Sequence, residues 1–110
     1  MMKLWLDDVR PAPDATWTAC KTAATALEYL KTGAVTVASL DHDLGGAPSK
    51  LYNWLEPNGS MLAQQMVQDQ AFPTDQLIIH SSNTRGAKIM EQILQPHLRY
   101  TIVLAPLPPA

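Results

Sequence analysis

The stretch Val35–Asp43, VTVASLDHD, decides the fold. Valine-rich and apolar up to Leu40, it runs into Asp41, His42 and Asp43, as a buried strand does when its carboxyl end opens on a polar site. If the segment stays extended, Asp41 and Asp43 face one side and His42 the other. The pattern repeats upstream, where the apolar run Met2–Leu6 stops at Asp7 and Asp8. Two buried strands thus carry acidic pairs at their carboxyl ends.

Between these strands, Pro11 and Pro13 force a loop, and Thr16–Cys20 suits a short strand. Ala23, Ala26, Leu27 and Leu30 recur at helical spacing within Thr22–Lys31, and Gly33 stops that helix. Downstream, Gly45–Gly59 reads as a long loop. Ser60 caps a helix running to about Gln70, with Leu62, Ala63, Met66 and Val67 inward, and Pro73 prevents its continuation. Leu77–Ile79 is a further strand that ends in His80, Ser81, Ser82 and Asn83. The segment from Thr84 to Gln95 carries an apolar stripe of Gly86, Ile89, Met90, Ile93 and Leu94, Tyr100–Leu104 is the last strand, and a Pro-rich tail begins at Pro106. Strands alternating with helices predict one α/β domain over residues 1–105, a three-layer sandwich with a mostly parallel sheet covered on both faces. All the polar clusters then fall at the carboxyl edge of the sheet, where ligands bind in open α/β folds.

With Asp7, Asp8, Asp41 and Asp43 gathered there, each carboxylate pair at 4 Å repels by roughly 4 kcal/mol at an effective dielectric near 20. A divalent cation resolves that repulsion, and hard oxygen donors suit Mg²⁺ or Mn²⁺, with Ca²⁺ a further option. His42 and His80 are candidates to donate to a phosphate or to move a proton, and each has the alternative of a plain backbone hydrogen bond. Ser81, Ser82 and Asn83 open a helix and offer hydroxyl, amide and N–H donors to an anion, or a helix cap. Arg10, and less directly Arg85, lies near the same edge to fork onto a phosphate or pair with the aspartates. Trp17 and Trp54 either cover the site, stack on a base or simply pack.

With a net charge of −2 over 110 residues, the chain has no broad basic field for an extended nucleic-acid surface, so an anionic ligand must be held locally. The single cysteine, Cys20, excludes an internal disulfide framework and reads as a small buried apolar residue. No apolar run approaches membrane-spanning length, and the expected location is the cytoplasm.

The strings LWLDDVRPAP, SLDHDLGG and IIHSSNTRGAKIM resemble response-regulator receiver domains, and more closely the cyclic-phosphate-processing receiver-like family. The resemblance spans Leu4 to about Met90 and implies a receiver (flavodoxin)-like sheet. By position it makes Asp7 and Asp8 the metal-binding pair, Asp41 the phospho-acceptor equivalent, and Ser81 or Ser82 the hydroxyl that contacts the phosphoryl group. Asp43, His42, His80 and Asn83 match further polar residues of the cyclic-phosphate family. The function it implies is a metal-dependent phosphoesterase acting on cyclic nucleotides or cyclic-phosphate-ended RNA. In that reading Asp41, His42 and His80 are catalytic and Arg10, Ser81, Ser82 and Asn83 bind substrate. A non-catalytic cyclic-nucleotide sensor and a phospho-accepting receiver are the alternatives. Two departures stand out. Leu104, Ala105 and Pro106 offer no lysine where receivers carry one, and Arg10–Ala15 is too short for a first crossover helix, so that helix is reduced to a loop. Strand two is then antiparallel or absent, or its edge is rebuilt.

Overall fold

The computed structural model describes residues 1–44 and 58–107. Five parallel strands form one sheet in the order β2-β1-β3-β4-β5. These are β1 (Met2–Leu6), β2 (Trp17–Cys20), β3 (Val35–Leu40), β4 (Gln76–Ser81) and β5 (Val103–Pro106), with α1 (Ala23–Lys31), α2 (Gly59–Asp69) and α3 (Thr84–Leu94) between them. The strand order reverses between β1 and β3, which places a switch point at the carboxyl ends of those two strands. The receiver-like α/β class expected from the sequence is the class observed.

Strand register explains the layers. Leu4, Ala38 and Leu77 align across the sheet, as do Leu6, Leu40 and Ile79, so this set shares one face. With Cys20 they form the core together with Ala26 and Leu30 of α1, Leu62 and Met66 of α2, and Met90 and Leu94 of α3. All three helices therefore pack on that face. Three successive right-handed crossovers moving the same way along the sheet require it. The opposite face carries Trp5, Ser39 and His80, and toward the other end Val37, Ile78 and Val103, the last 42% exposed. Among the described residues, the third layer is only the crossover between β1 and β2.

That crossover settles what becomes of strand two. β2 is present and parallel to β1, from Lys3 opposite Trp17 to Leu6 opposite Cys20. A non-helical loop makes the connection because it is pinned from within: the indole of Trp5 donates to the Arg10 carbonyl at 3.0 Å, and Asp7 caps the first turn. Thr22 caps α1 and accepts from the Thr25 amide, while Gly33 adopts φ 78° to return its N–H to Leu30, as the sequence stop at Gly33 requires. The α2 cap is corrected. Asn58 accepts from the Met61 amide, and Ser60 stands inside the first turn. β5 is also shifted, because Gln95 takes the Ile102 amide and donates to the Tyr100 carbonyl, holding residues 100–102 out of the ladder. The strand instead ends at Pro106, paired with Ser81. Most of the loop expected at 45–59, with Gly45, Gly46 and Trp54, and the end of the tail lie outside the described residues. Among those described, no helix is long and apolar enough to cross a membrane.

Candidate functional site

Because β1 and β3 are neighbours in register, Leu6 opposite Leu40, their carboxyl ends deliver the next residues to one place. Asp7, Asp8 and Asp41 each offer an oxygen within 4.8 Å of the others. Asp43 is not part of this trio. β3 stops at Leu40, so the pleat that would have aligned Asp43 with Asp41 is gone, and the Asp43 carboxylate turns instead to the His42 ring.

The three carboxylates differ in environment. Asp7 is the structural anchor: Oδ1 accepts from the Val9 and Arg10 amides at 2.8 Å each, and Oδ2 meets Nε2 of His80 at 3.1 Å. Burial pushes its pKa up, but the hydrogen bonds from His80, Arg10 and Val9 outweigh burial and leave it below the ordinary value. Asp41 is raised, first by burial and also by the charge of Asp7, against a hydrogen bond from the Ser81 hydroxyl and one from the His42 amide at 2.7 Å. Asp8 is raised by burial and then by the charges of Asp7 and Asp43. Its Oδ2 is shielded from solvent without a hydrogen-bond partner among the described residues. Arg10 reaches across the cluster, with Nη1 at 3.6 Å from Asp7 and 3.9 Å from Asp41. A shielded carboxylate oxygen without a donor, facing two further carboxylates, is a donor set that fits a small hard cation.

His80 is not at the mouth of the site. It is 2% exposed, stacked flat on Trp5 at 3.8 Å, and held at both nitrogens, by Asp7 and by the Ser39 hydroxyl at 2.7 Å. Ionised Asp7 accepts, so the proton sits on Nε2 and Nδ1 accepts from Ser39. His80 therefore orients Asp7 and is closed off from solvent. Its partners were legible only once register was known, since His80 lies on the face away from the helices with Trp5 and Ser39. Trp17 packs edge-on against Trp5 at 5.9 Å, outside the carboxylate cluster.

His42 occupies a second group. Its Nδ1 lies 2.7 Å from Asp43 Oδ1 and its Nε2 lies 2.8 Å from Ser60 Oγ. Asn83 caps α3 by accepting from the Gly86 amide at 2.8 Å, which fixes its amide so that Nδ2 donates to Asp43 at 3.1 Å. The ring lies so close to Gly86 that a Cβ there would meet it at 2.5 Å. Of the substrate-binding candidates, Ser81 is buried and committed to Asp41 and the Asn83 amide, Asn83 to its cap and Asp43, and Ser82 is exposed. Arg85 is exposed as well. Ser60, in sequence a helix-cap candidate only, is the further member of this group.

These shifts have a checkable sign. Asp8 and Asp41 have folded-state values above 3.8, so ionising them opposes folding, and ion-free protein gains stability as pH falls from neutral through those raised values. Asp7 acts oppositely, and its contribution is lost as pH falls from 3.8 through its lowered value. Asp8→Asn is accordingly expected to stabilise the ion-free chain at pH 7 by about 1–2 kcal/mol, a fraction of the screened repulsion, and to blunt any divalent-ion response. Thermal unfolding with and without chelator measures both.

The family described as cyclic-phosphate processing receiver domain matches residues 2–96, which takes in all three carboxylates, both histidine groups and the first turn of α3. No curated protein and no solved structure matches the chain. With the match covering most of its length, this chain belongs to the cyclic-phosphate processing receiver domain family.

Proposed function

We propose that the chain is a metal-dependent phosphoesterase that opens cyclic phosphates on nucleotides or RNA ends. The observation that carries this reading is the unpartnered, shielded oxygen of Asp8 beside Asp7 and Asp41. Those three residues would hold Mg²⁺ or Mn²⁺, which when bound supplies charge neutralisation for the phosphate and a water of lowered pKa. Asp7 is kept ionised and oriented by His80, the Val9 and Arg10 amides and the Arg10 guanidinium. Arg10, already poised over the cluster, is the side chain to turn onto a phosphate oxygen, with Ser82 at the open start of α3 as a hydroxyl donor. Burial raises the pKa of Asp41, so proton and cation would compete for its carboxylate, and affinity should climb as pH rises through that raised value.

A binding-only role is the second reading, favoured by the full engagement of His80 and by its burial, which leave it unable to transfer a proton to a ligand. The phospho-receiver reading keeps an acceptor in Asp41 with the Ser81 hydroxyl beside it, and lacks a lysine at the end of β5. The test is incubation of the chain with Mn²⁺ or Mg²⁺ and 2′,3′-cyclic nucleotides, cyclic mono- and dinucleotides and cyclic-phosphate-ended RNA, followed by ³¹P NMR. Ring opening that disappears with chelator and in Asp41→Asn is expected. Thermal stabilisation by a cyclic nucleotide without turnover selects the binding role, and no response to any of them overturns both.

A further inference from the structure

We propose that Ser60 is a nucleophile activated by His42 and Asp43, and that it takes a phosphoryl group covalently. His42 Nδ1 has two neighbours, Asp43 Oδ1 at 2.7 Å and the Asn83 amide nitrogen at 3.3 Å; the shorter contact is to a carboxylate, which only accepts, and it puts the imidazole proton on Nδ1. Nε2 is then the acceptor, and the Ser60 hydroxyl at 2.8 Å donates to it. Hydroxyl on Nε2 and carboxylate on Nδ1 is the arrangement in which an imidazole draws a proton from an attacking oxygen while a carboxylate holds its tautomer.

Contacts from the first turns of α2 and α3 fix this geometry. Asn83, locked by its cap on α3, donates to Asp43 at 3.1 Å. Gly86 lets the imidazole lie flush against the start of α3, and the Gly59 amide donates to the His42 carbonyl at 2.8 Å, tying the first turn of α2 to the histidine's own backbone. Ser60 is the second residue of α2, where the positive end of the helix dipole favours a developing oxyanion. The chain offers a control for this reading. Ser39, His80 and Asp7 comprise the same residue types, but the ring is reversed and Ser39 and His80 are both buried, so no substrate reaches Ser39. Ser60 is only partly buried, and the Asp43 carboxylate is 54% exposed.

The step balances without a co-reactant. Ser60 Oγ bonds to phosphorus, one ring P–O ester bond breaks, and the serine proton passes through His42 Nε2 to the departing ribose oxygen. Water then cleaves the seryl ester, with the proton returning by the same nitrogen. The cyclic-phosphate substrate class rests on the reading in the preceding subsection, whereas the nucleophile does not.

The test uses the whole, chelator-treated chain with an alkyl fluorophosphonate, in which Ser60 Oγ forms a P–O bond, fluoride leaves and the proton goes through His42 to solvent. Peptide mass spectrometry is expected to find one adduct, on Ser60, lost in Ser60→Ala and slowed by roughly 10²-fold in Asp43→Asn. Asp43 is exposed enough for that substitution to leave folding intact, which circular dichroism checks. No adduct on the wild-type chain, an adduct that survives Ser60→Ala, or unchanged labelling in folded Asp43→Asn overturns the proposal. Metal-dependent ring opening without labelling would leave the phosphoesterase reading standing alone. Labelling without ring opening would keep the nucleophile and discard the substrate class.

Discussion

Asp7→Ala is expected to cost about 3–5 kcal/mol, the range for removing one partner of a buried charged network, against a typical domain stability of about 5–15 kcal/mol. The reason is the number of donors that this one carboxylate satisfies. Two backbone amides, the Nε2–H of a buried histidine and the Arg10 guanidinium all converge on it. Alanine leaves the amides of Val9 and Arg10 with no acceptor at the point where the crossover replaces a helix, and strands His80 against Trp5 with one nitrogen unpaired. Asp7→Asn is expected to behave differently. Its oxygen can still accept from the amides, and its NH₂ can face His80 if the ring shifts its proton to Nδ1 and donates to Ser39. The loss is then about 1 kcal/mol, the net worth of a single hydrogen bond. Urea unfolding of the two variants separates the cases, and equal losses would mean that charge and not hydrogen bonding holds the crossover. Near-ultraviolet circular dichroism of the Trp5–His80 stack reports where the damage starts.

The same residue shows what a linear reading can and cannot reach. Strand positions and the convergence of Asp7, Asp8 and Asp41 were legible because buried parallel strands are apolar runs, and each run ends at an aspartate. The direction of Asp43 was not legible. Its alternation with Asp41 holds only while the chain stays extended, and β3 ends one residue before Asp41. By position His80 stands at a strand's carboxyl end, and the sheet register, which the sequence alone does not show, turns it toward Ser39 and Trp5 and sets it against Asp7. The parallel pairing of β2 was hidden as well, since Arg10–Ala15 is too short for a crossover helix and leaves strand two antiparallel, absent or at a rebuilt edge. What replaces the helix is an internal scaffold of side-chain bonds from Trp5 and Asp7. In sequence Ser60 is a good cap, but Asn58 takes that role and frees the serine hydroxyl for a histidine brought from the end of β3.

Gly59→Ala should be the second severe substitution, because the atoms it meets cannot all move aside. A Cβ on residue 59 would lie 2.6 Å from Met90 Sδ, 2.7 Å from the Asp41 carbonyl oxygen and 2.8 Å from His42 Cα. Methionine can swing away, but the other two are backbone, held where Asp41 meets its partners. The start of α2 must therefore retreat, breaking the 2.8 Å bond from the Gly59 amide to the His42 carbonyl. Overpacking of this kind costs about 1–3 kcal/mol and the broken bond about 1 kcal/mol, while alanine's better helix propensity returns at most about 1 kcal/mol. A net loss of about 1–3 kcal/mol is expected, read as a fall in Tm of roughly 4–8 °C per kcal/mol for a domain of this size. Gly86→Ala makes the useful comparison. There the obstructing group is the His42 ring, 2.5 Å away, a side chain able to rotate. That variant should lose less stability and yet detach the imidazole from Ser60, so its labelling by a fluorophosphonate should collapse while its melting point falls less than that of Gly59→Ala. If both glycine variants melt like the parent chain, the close approach of α2 and α3 to His42 is not maintained in solution, and the geometry around Ser60 loses its support.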